Sequence, residues 1–395
     1  MIHNQLLNRE NSLFAEDMLN FSNQINDIIR TSSFLVVGGA GTIGQAVARE
    51  IFSRNPKRLD VVDINENNLV ELVRDLRSTY GYIDGDFNTY ALDSASLEFE
   101  KISQQGISYD YILNLSALKH VRSEKDIFTL HRLVQVNIIN SLKLLELSEN
   151  LESKKYFCVS TDKAANPVNM MGASKRIMEI LISSNKSNIP VSMARFANVI
   201  FSDGSLVHGF ESRFNKNQPL SAPYDIQRYF VTPKESGELC LMSSLFGENM
   251  DIFFPRLDEN LDLLSFDTLA RRYLEMKGYS PYECHSEDEA RSRIKELKNI
   301  GKWPCYFSSS ETTGEKPIEE FYSDSETPDL SKFKTIGVVN ESDHDKSDLA
   351  NTFLEGLKDI RKSETWEKKD LVHLFESTLP EFVHVEKNKY LDQKM

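Results

Sequence analysis

The sequence predicts an α/β protein: a doubly wound parallel sheet, then a smaller second lobe and a helical tail. Three observations lead there. From Phe34 to Phe196 short β-rich runs alternate with helical stretches, the pattern of parallel strands joined by helical crossovers. A glycine-rich turn, Gly38-Gly39-Ala40-Gly41-Thr42-Ile43-Gly44, follows the first apolar run and opens an amphipathic stretch. After about Asn198 the alternation loosens into Gly, Pro and aromatic residues mixed with shorter helices, which marks a second lobe rather than more parallel sheet.

Residues 1–32 read as a helical extension, because they mix Asn, Glu, Asp and Arg with scattered apolar positions. They lack the uninterrupted apolar stretch of a signal peptide or a membrane span. Residues 33–197 form the sheet domain, with strand and helix returns from later segments. Its runs Phe34–Val37, Leu59–Val62, Tyr111–Leu113 and Tyr156–Val159 are short and largely apolar, as strands covered on both faces should be. Ile43, Val47 and Ile51 are spaced to share one face of the helix after the glycine turn. Residues 198–330 form the second lobe, and the cleft between the lobes is the expected substrate site. Residues 331–395 form a helical extension, with helices near Leu349–Ile360 and Lys369–Ser377 after an acidic, Ser/Thr-rich stretch from Glu311 to Lys346. That tail reads as readily as a packing or dimer-stabilising appendage as it does as a functional element.

The chain has 395 residues, 40% of them hydrophobic, which is enough to bury a large core. Its formal net charge of -14 and pI near 5.2 exclude a duplex nucleic acid partner, since neutralising phosphates takes a basic face. Cys158, Cys240, Cys284 and Cys305 are far apart with no C-x-x-C spacing, so they suit neither a metal site nor a disulfide framework. No metal and no membrane partner is expected, and buried free thiols point to a reducing cytoplasm.

The glycine turn sits between a strand and a helix, the context that gives its glycines separate tasks. Gly38 allows the tight turn. Gly41 lets the backbone approach a pyrophosphate, and Gly44 lets the helix pack close, so that the amides near Thr42 and Ile43 face the anion. This is a Rossmann-type dinucleotide site. Asp63 ends the second strand, where a carboxylate can accept hydrogen bonds from both adenosine ribose hydroxyls and repel a 2'-phosphate. No Arg stands beside it in Asp63-Ile64-Asn65-Glu66, so NAD is favoured over NADP. Asp93, followed by Ser94 after the third strand, is placed either to meet the adenine amine or to form a plain surface turn.

After the fifth β-run the chain reads Ser160-Thr161-Asp162-Lys163-Ala164-Ala165-Asn166-Pro167-Val168-Asn169-Met170-Met171-Gly172-Ala173-Ser174-Lys175-Arg176. Here it resembles the extended short-chain dehydrogenase/reductases, specifically the nucleotide-sugar 4,6-dehydratases of bacterial polysaccharide and glycan biosynthesis that act on UDP-N-acetylglucosamine. The resemblance covers roughly Ser33 to Phe254. Most of the wider superfamily carries a Tyr four residues before the active-site Lys; here that position is Met171, and a thioether cannot act as a base. A subgroup of the dehydratases has the same Met together with Thr-Asp-Lys at the strand end, and resembles enzymes that retain configuration at carbon 5. Ala117-Leu118-Lys119-His120-Val121 matches the Ala-Leu-Lys-His signature, which implies that Ala117 lies along the cofactor and that Lys119 and His120 sit beside nicotinamide and sugar. Arg195-Phe196-Ala197-Asn198-Val199 is similar to Arg-Phe-Gly-Asn-Val. The resemblance places Asn198, Ser205 and Arg228 at the nucleotide diphosphate, although Asn198 or Ser205 serves equally as a turn cap. Gly314-Glu315-Lys316-Pro317 is similar to a segment that contacts the nucleoside ribose, with Glu315 as the contact; an acidic loop is the other reading. Departures are Ala197 for Gly, Phe201-Ser202-Asp203 for a more Gly/Arg-rich turn, and a longer segment after Tyr279.

The resemblance implies an internal redox cycle: oxidation at carbon 4 of the hexose, loss of water across carbons 5 and 6, and return of the hydride to carbon 6. Lys163 is the expected carbon 5 base, with a pKa drawn toward ~7–8 by burial and by cationic neighbours such as Lys119. Lys175 is the other candidate for that base and is expected to hold the nicotinamide ribose. Asp162 would protonate the departing hydroxyl, and Thr161 would relay the carbon 4 hydroxyl proton. Rival readings are a UDP-N-acetylhexosamine 4-epimerase, which gains nothing from Asp162, and a non-enzymatic NAD-binding regulator. The helices at 127–147 and 172–184 are expected to pair with their mates in a homodimer or higher homo-oligomer, because their apolar residues exceed what one sheet face covers.

Overall fold

The computed structural model describes residues 2–185, 187–257, 262–310, 315–341 and 346–386. Three helices, α1 (Ile2–Leu6), α2 (Ala15–Asn20) and α3 (Ser22–Thr31), precede the sheet domain. Its first half runs β1 (Ser33–Val37), α4 (Thr42–Phe52), β2 (Arg58–Asp63), α5 (Glu66–Tyr80), β3 (Asp86–Ala91), α6 (Leu97–Ser103) and β4 (Tyr111–Asn114). Next come α7 (Ile127–Val134), a π-turn over Gln135–Ile139, α8 (Asn140–Asn150), β5 (Lys155–Thr161), α9 (Met170–Ser184) and β6 (Val191–Phe196). The four apolar runs expected to be strands are all strands.

Beyond β6 lie β7 (Asn198–Val199), α10 (Leu206–Asn215), β8 (Leu220–Pro223), β9 (Gln227–Val231), α11 (Pro233–Phe246) and β10 (Asp251–Pro255). They are followed by β11 (Leu263–Ser265), α12 (Phe266–Met276), β12 (Ser280–Glu283), α13 (Glu287–Ser292), α14 (Ile294–Asn299) and β13 (Lys302–Ser308). The chain closes with β14 (Ile336–Asn340), α15 (Ser347–Lys362) and α16 (Lys368–Thr378). The eight-stranded main sheet has the order β14-β10-β6-β5-β4-β1-β2-β3 and is parallel except where β14 meets β10. Two strands therefore return to it from beyond residue 198, and the 331–395 stretch opens with the sheet's antiparallel edge.

Alternation along β1 explains the layers. Phe34 and Val36 enter the core under α3, α4, α5 and α11, whereas Leu35 and Val37 enter the core under α7, α8 and α9. Each such side chain contributes roughly 1.5–3 kcal/mol through burial. Asp60, the charged residue inside an apolar run, is fully buried and accepts hydrogen bonds from Arg58, Asn88 and Tyr109. A separate core, with Phe210, Phe230, Tyr273, Trp303 and Phe307, holds the second lobe. The N-terminal extension spans both, since Leu6 and Leu7 join the lobe core while Phe14, Ile25 and Ile29 join the sheet core.

Every residue from Met170 to Ile182 of α9 is buried. Outside α9 lie α15 and α16, whose Phe353, Leu357, Leu371, Leu374 and Phe375 continue the same core as Leu130, Val134, Met178 and Leu181. The chain itself covers the outer face of α9 with these two helices, whereas Phe128 on α7 stays 72% exposed. The part of the dimer argument that rested on α9 is thereby met within the chain. No described helix is long and apolar enough to cross a membrane.

Candidate active site

The chain runs from β1 outward through β2 to β3 on one side, then crosses back from β3 to β4 on the other side of β1. This reversal of winding opens a crevice at the carboxyl ends of the strands. The loops after β1, β4, β5 and β6 meet there.

The glycine turn is built as its sequence requires. Gly38 has φ +75, and a Cβ on it would stand 2.5 Å from the Ser116 nitrogen. A Cβ on Gly44 would stand 2.2 Å from the Gly38 oxygen, so α4 packs directly on the turn. Gly41 is the N-cap of α4, which carries no side-chain cap and no acidic residue in its first turn. The amides of Thr42 and Ile43 thus lie at an open, positive helix end. Asp63 accepts from the Ala40 amide at 2.9 Å through one carboxylate oxygen and from the Asn65 amide at 2.9 Å through the other. Each oxygen keeps a lone pair for a ribose hydroxyl, and these features fit a dinucleotide. Asp93 accepts from the Ala95 amide and from Arg132, each at 2.9 Å. Although burial works against ionisation, those partners hold its pKa below the usual carboxylate range. Ser94 lies in the same turn, so both residues stand at the outer end of the crevice after β3.

Thr161 ends β5, and Asp162–Ala164 form a 3₁₀ turn directly after it. Asp162 is buried, and its Oδ1 accepts from Thr161 Oγ1, from the Lys163 amide and from Lys163 Nζ, all at 2.9 Å. Lys163 Nζ also stands 3.8 Å from the buried Glu319 carboxylate. Burial lowers the pKa of Lys163, but Asp162 and Glu319 outweigh it and the net direction is upward. The expectation of a depressed Lys163 pKa is therefore overturned. Arg228 opposes the rise.

Met171 is buried in the first turn of α9. That turn is fixed by the Asn169 side chain, which accepts from the Gly172 amide at 2.8 Å, and by Glu124, which accepts from the Met170 amide at 2.9 Å. A Cβ on Gly172 would stand 2.4 Å from the Lys163 oxygen, so this glycine lets the helix rest on the 3₁₀ turn that carries Asp162 and Lys163. Lys175 follows one turn later; its Nζ donates to the Val159 carbonyl at 3.0 Å. Burial lowers its pKa to about 8 against the opposing pull of Cys158 and Glu179. Of the two candidate lysines, Lys175 is the one nearer to releasing its proton at neutral pH.

The remaining predicted residues fall into two groups. Lys119 and His120 stand open at the mouth of the crevice, yet desolvation by the surrounding protein lowers both pKa values. His120 faces Gly204, where a Cβ would stand 2.8 Å from the ring, and the Asp203 amide donates to Thr42 Oγ1 at 3.1 Å. The loop from Phe201 to Ser205 thus joins the second lobe to the glycine turn. Ser205 accepts from the His208 amide at 3.2 Å and caps α10. Asn198 lies in β7, paired with Phe230 of β9. Arg228, on β9, donates through Nη1 to the carbonyls of Gln227, Lys316 and Pro317 at 2.8–3.0 Å. Its Nη2 lies 3.7 Å from both Glu315 and Glu319. Glu315 is thereby placed beside Arg228, while Gly314 lies outside the described residues.

Three residues that sequence reasoning left out of the site help to build it. Asn137, fully buried in the π-turn, accepts from the Leu118 amide at 2.9 Å and donates to the Leu118 carbonyl and to Ser174 at 3.0 Å. It ties the Ala117–His120 loop to α9. A buried amide in an otherwise apolar helical run was the available signal. Arg195 is fully buried, pairs with Glu179 and Glu326 at 2.7 Å and donates to the Phe321 carbonyl at 2.9 Å. It bolts the 319–326 segment to β6 and α9. That segment carries the third, Glu319, which no local pattern marked. Among the described residues no group of three or more His, Cys, Asp or Glu is arranged to hold a metal ion.

Residues 34–341 match the profile of the polysaccharide biosynthesis protein family. An uncharacterized membrane protein of Methanocaldococcus jannaschii is 29% identical over 326 residues, covering 80% of this chain and 87% of that protein. The capsular polysaccharide biosynthesis protein CapD of Staphylococcus aureus is 26% identical over 254 residues, 63% of this chain, but the match spans only 41% of CapD. A UDP-glucose 4-epimerase of Rickettsia bellii is 27% identical over 57% of this chain and 66% of its own length. Among solved structures, Pen from Bacillus thuringiensis superposes with a TM-score of 0.65 at 19% identity, covering 89% of this chain and 98% of Pen. DesIV, a dTDP-glucose 4,6-dehydratase from Streptomyces venezuelae with NAD bound, superposes with a TM-score of 0.55 at 15% identity over 73% of this chain and 87% of DesIV. At these identities the two superpositions establish the fold.

Proposed function

We propose, from the premise that this chain belongs to the polysaccharide biosynthesis protein family, that it is an NAD-dependent 4,6-dehydratase of UDP-N-acetylglucosamine or a close nucleotide-activated N-acetylhexosamine. The observation that carries the reading is the acid-base turn. Where most of the superfamily it resembles places a Tyr, this chain buries Met171, and the titratable groups Asp162 and Lys163 cluster instead beside the Thr161 hydroxyl and Glu319.

Held by Gly41, Thr42, Ile43 and Asp63 at the glycine turn, NAD would supply a hydride acceptor and donor. The chain's own residues do the rest. Thr161 Oγ1, 2.9 Å from Asp162 Oδ1, passes the carbon 4 hydroxyl proton toward that carboxylate. Lys163 takes the carbon 5 proton once it is neutral, and Lys175 serves the nicotinamide ribose. Asp162 gives a proton to the hydroxyl leaving carbon 6, a step worth about 10²–10⁴ in rate when the acid is well placed. Arg228 contributes a fixed positive charge toward a diphosphate rather than a paired grip, since its Nη1 is held by backbone carbonyls. The same reading sets the protein in the cytoplasm, where its buried, unpaired cysteines stay reduced. Any homo-oligomer in this reading uses faces other than those covered by α15 and α16.

The test is incubation of the purified protein with a panel of nucleotide-activated N-acetylhexosamines, following mass. Loss of one water with a 4-keto product supports the reading. An isomer of unchanged mass would assign the 4-epimerase seen among the relatives, and no turnover at all would favour a regulator.

A further inference from the structure

One carboxylate joins three parts of the chain. Glu124 closes the 3₁₀ turn Val121–Glu124, which follows Lys119 and His120, and its side chain is fully buried. Its Oε2 accepts from the Met170 amide at 2.9 Å, in the first turn of α9, and stands 3.4 Å from Nε2 of His384. Among the described residues Oε1 meets no hydrogen-bond partner, so the hold on this carboxylate runs through Oε2.

A buried carboxylate needs polar or charged groups that face it, and His384 brings one from far along the chain. It lies beyond α16, yet its side chain is only 5% exposed. The segment around it is well seated. Phe382, 1% exposed, enters the core shared with α9, and its ring centroid lies 6.2 Å from that of the imidazole. The His384 amide donates to Glu376 of α16 at 3.1 Å, and Lys368 pairs with Glu386. An imidazole presents a proton on Nε2 both as the cation and as one neutral tautomer, so either form can face the carboxylate.

What Glu124 holds is the frame of the site. The first amides of a helix have no partner within it; here Glu124 takes that of Met170 and Asn169 takes that of Gly172. Gly172 in turn rests on the Lys163 carbonyl, Met171 lies between the two amides, and Lys175 follows one turn later. A loosened Met170 moves all of these together, and a displacement of about 1 Å can cost on the order of a hundredfold in rate.

We propose that His384 is a positioning residue: through Glu124 it sets the first turn of α9, and with it the placement of Lys163 and Lys175. The segment after α16 is thereby part of the frame of the active site and not only a cover for α9. The effect on turnover rests on the dehydratase reading, whereas the hold on the Met170 amide does not.

The experiment uses the full chain, isotope-labelled at the methionine amides, with the Met170 signal assigned through Met170→Leu. It compares the wild type with His384→Ala, His384→Gln, Glu124→Ala, the double variant of His384→Ala with Glu124→Ala, and Val383→Ala, a neighbour that is 66% exposed. A weakened hydrogen bond moves an amide proton upfield, so His384→Ala should shift the Met170 signal that way. His384→Gln, whose side-chain amide can donate to the same carboxylate, should bring it part of the way back, and Val383→Ala should leave it in place. With UDP-N-acetylglucosamine, kcat of His384→Ala should fall by about tenfold to a hundredfold while KM stays level. His384→Gln should recover part of that loss, and the double variant should lose no more than Glu124→Ala does. A Met170 signal that His384→Ala leaves unmoved, a Gln variant no better than Ala, or losses that add in the double variant overturns the role of His384. A wild type that turns over no nucleotide sugar overturns the dehydratase reading instead, with the Met170 signal still deciding whether His384 holds α9.

Discussion

Lys163 Nζ lies 2.9 Å from Asp162 Oδ1, an ion pair between chain neighbours that the 3₁₀ turn after β5 folds onto one side. If this pair carries the proton transfers, Asp162→Asn and Lys163→Ala should each lower turnover of UDP-N-acetylglucosamine by about 10²–10⁴. Met171→Ala should cost far less, since it removes packing rather than an acid or a base. Turnover of the three variants, with carbon 5 hydrogen exchange followed by NMR in heavy water, decides the matter. A near-normal Lys163→Ala alongside an inactive Met171→Ala would reverse the assignment.

Lys175 gives the fold a pH dependence whose sign can be worked out. Burial lowers its pKa to about 8, against roughly 10.4 in an unfolded chain. Between those values the unfolded state binds the extra proton, so the contribution of Lys175 to stability rises with pH at up to about 1.4 kcal/mol per unit and is lost as pH falls toward 8. Denaturant unfolding from pH 7.5 to 10 should therefore show a steeper gain in the wild type than in Lys175→Met. Parallel curves would refute the buried, depressed amine.

Gly172→Ala tests the contact between α9 and the turn that carries Asp162 and Lys163. The added Cβ would stand 2.4 Å from the Lys163 oxygen, so helix and turn must separate, at about 1–3 kcal/mol by the usual cost of overpacking. Urea midpoints should fall by a corresponding amount, and turnover should fall further than Met171→Ala lowers it.

Asp63 is expected to make the protein prefer NAD to NADP and to brace the glycine turn through the Ala40 amide. Asp63→Ala removes a charged hydrogen-bond acceptor and should weaken NADH binding by on the order of tenfold to a hundredfold, from about 1.5–3 kcal/mol per such bond. Fluorescence titration of NADH measures it, and unchanged affinity, or a wild type that prefers NADPH, would contradict the role.

Strands and cofactor turn were legible because their signals are local: Phe34–Val37 is buried on both faces, and the glycines follow it at once. The clustering of Thr161, Asp162 and Lys163 was legible for the same reason, since the three are consecutive. The sign of the Lys163 shift was not, because it depends on Glu319, brought in by a segment that Arg195 anchors from far along the chain. Arg228 was placed at the site, but a sequence cannot show that the carbonyls of Lys316 and Pro317 fill half of its guanidinium. Periodicity also showed that α7 to α9 carry too much apolar surface for one sheet face. It could not say whose side chains cover the rest.

The covering of α9 by α15 and α16 has a consequence for synthesis. The helix that carries Met171 and Lys175 is made before the residues that shield it, because Phe353, Leu357, Leu371 and Phe375 emerge long afterwards. Until the ribosome has released them, α9 presents a bare apolar flank, and nascent chains stopped before α15 should be bound by holding chaperones or clump together. Once the last two helices have docked, the shield is part of the same polypeptide, so its closure at this face does not depend on how many copies a cell contains.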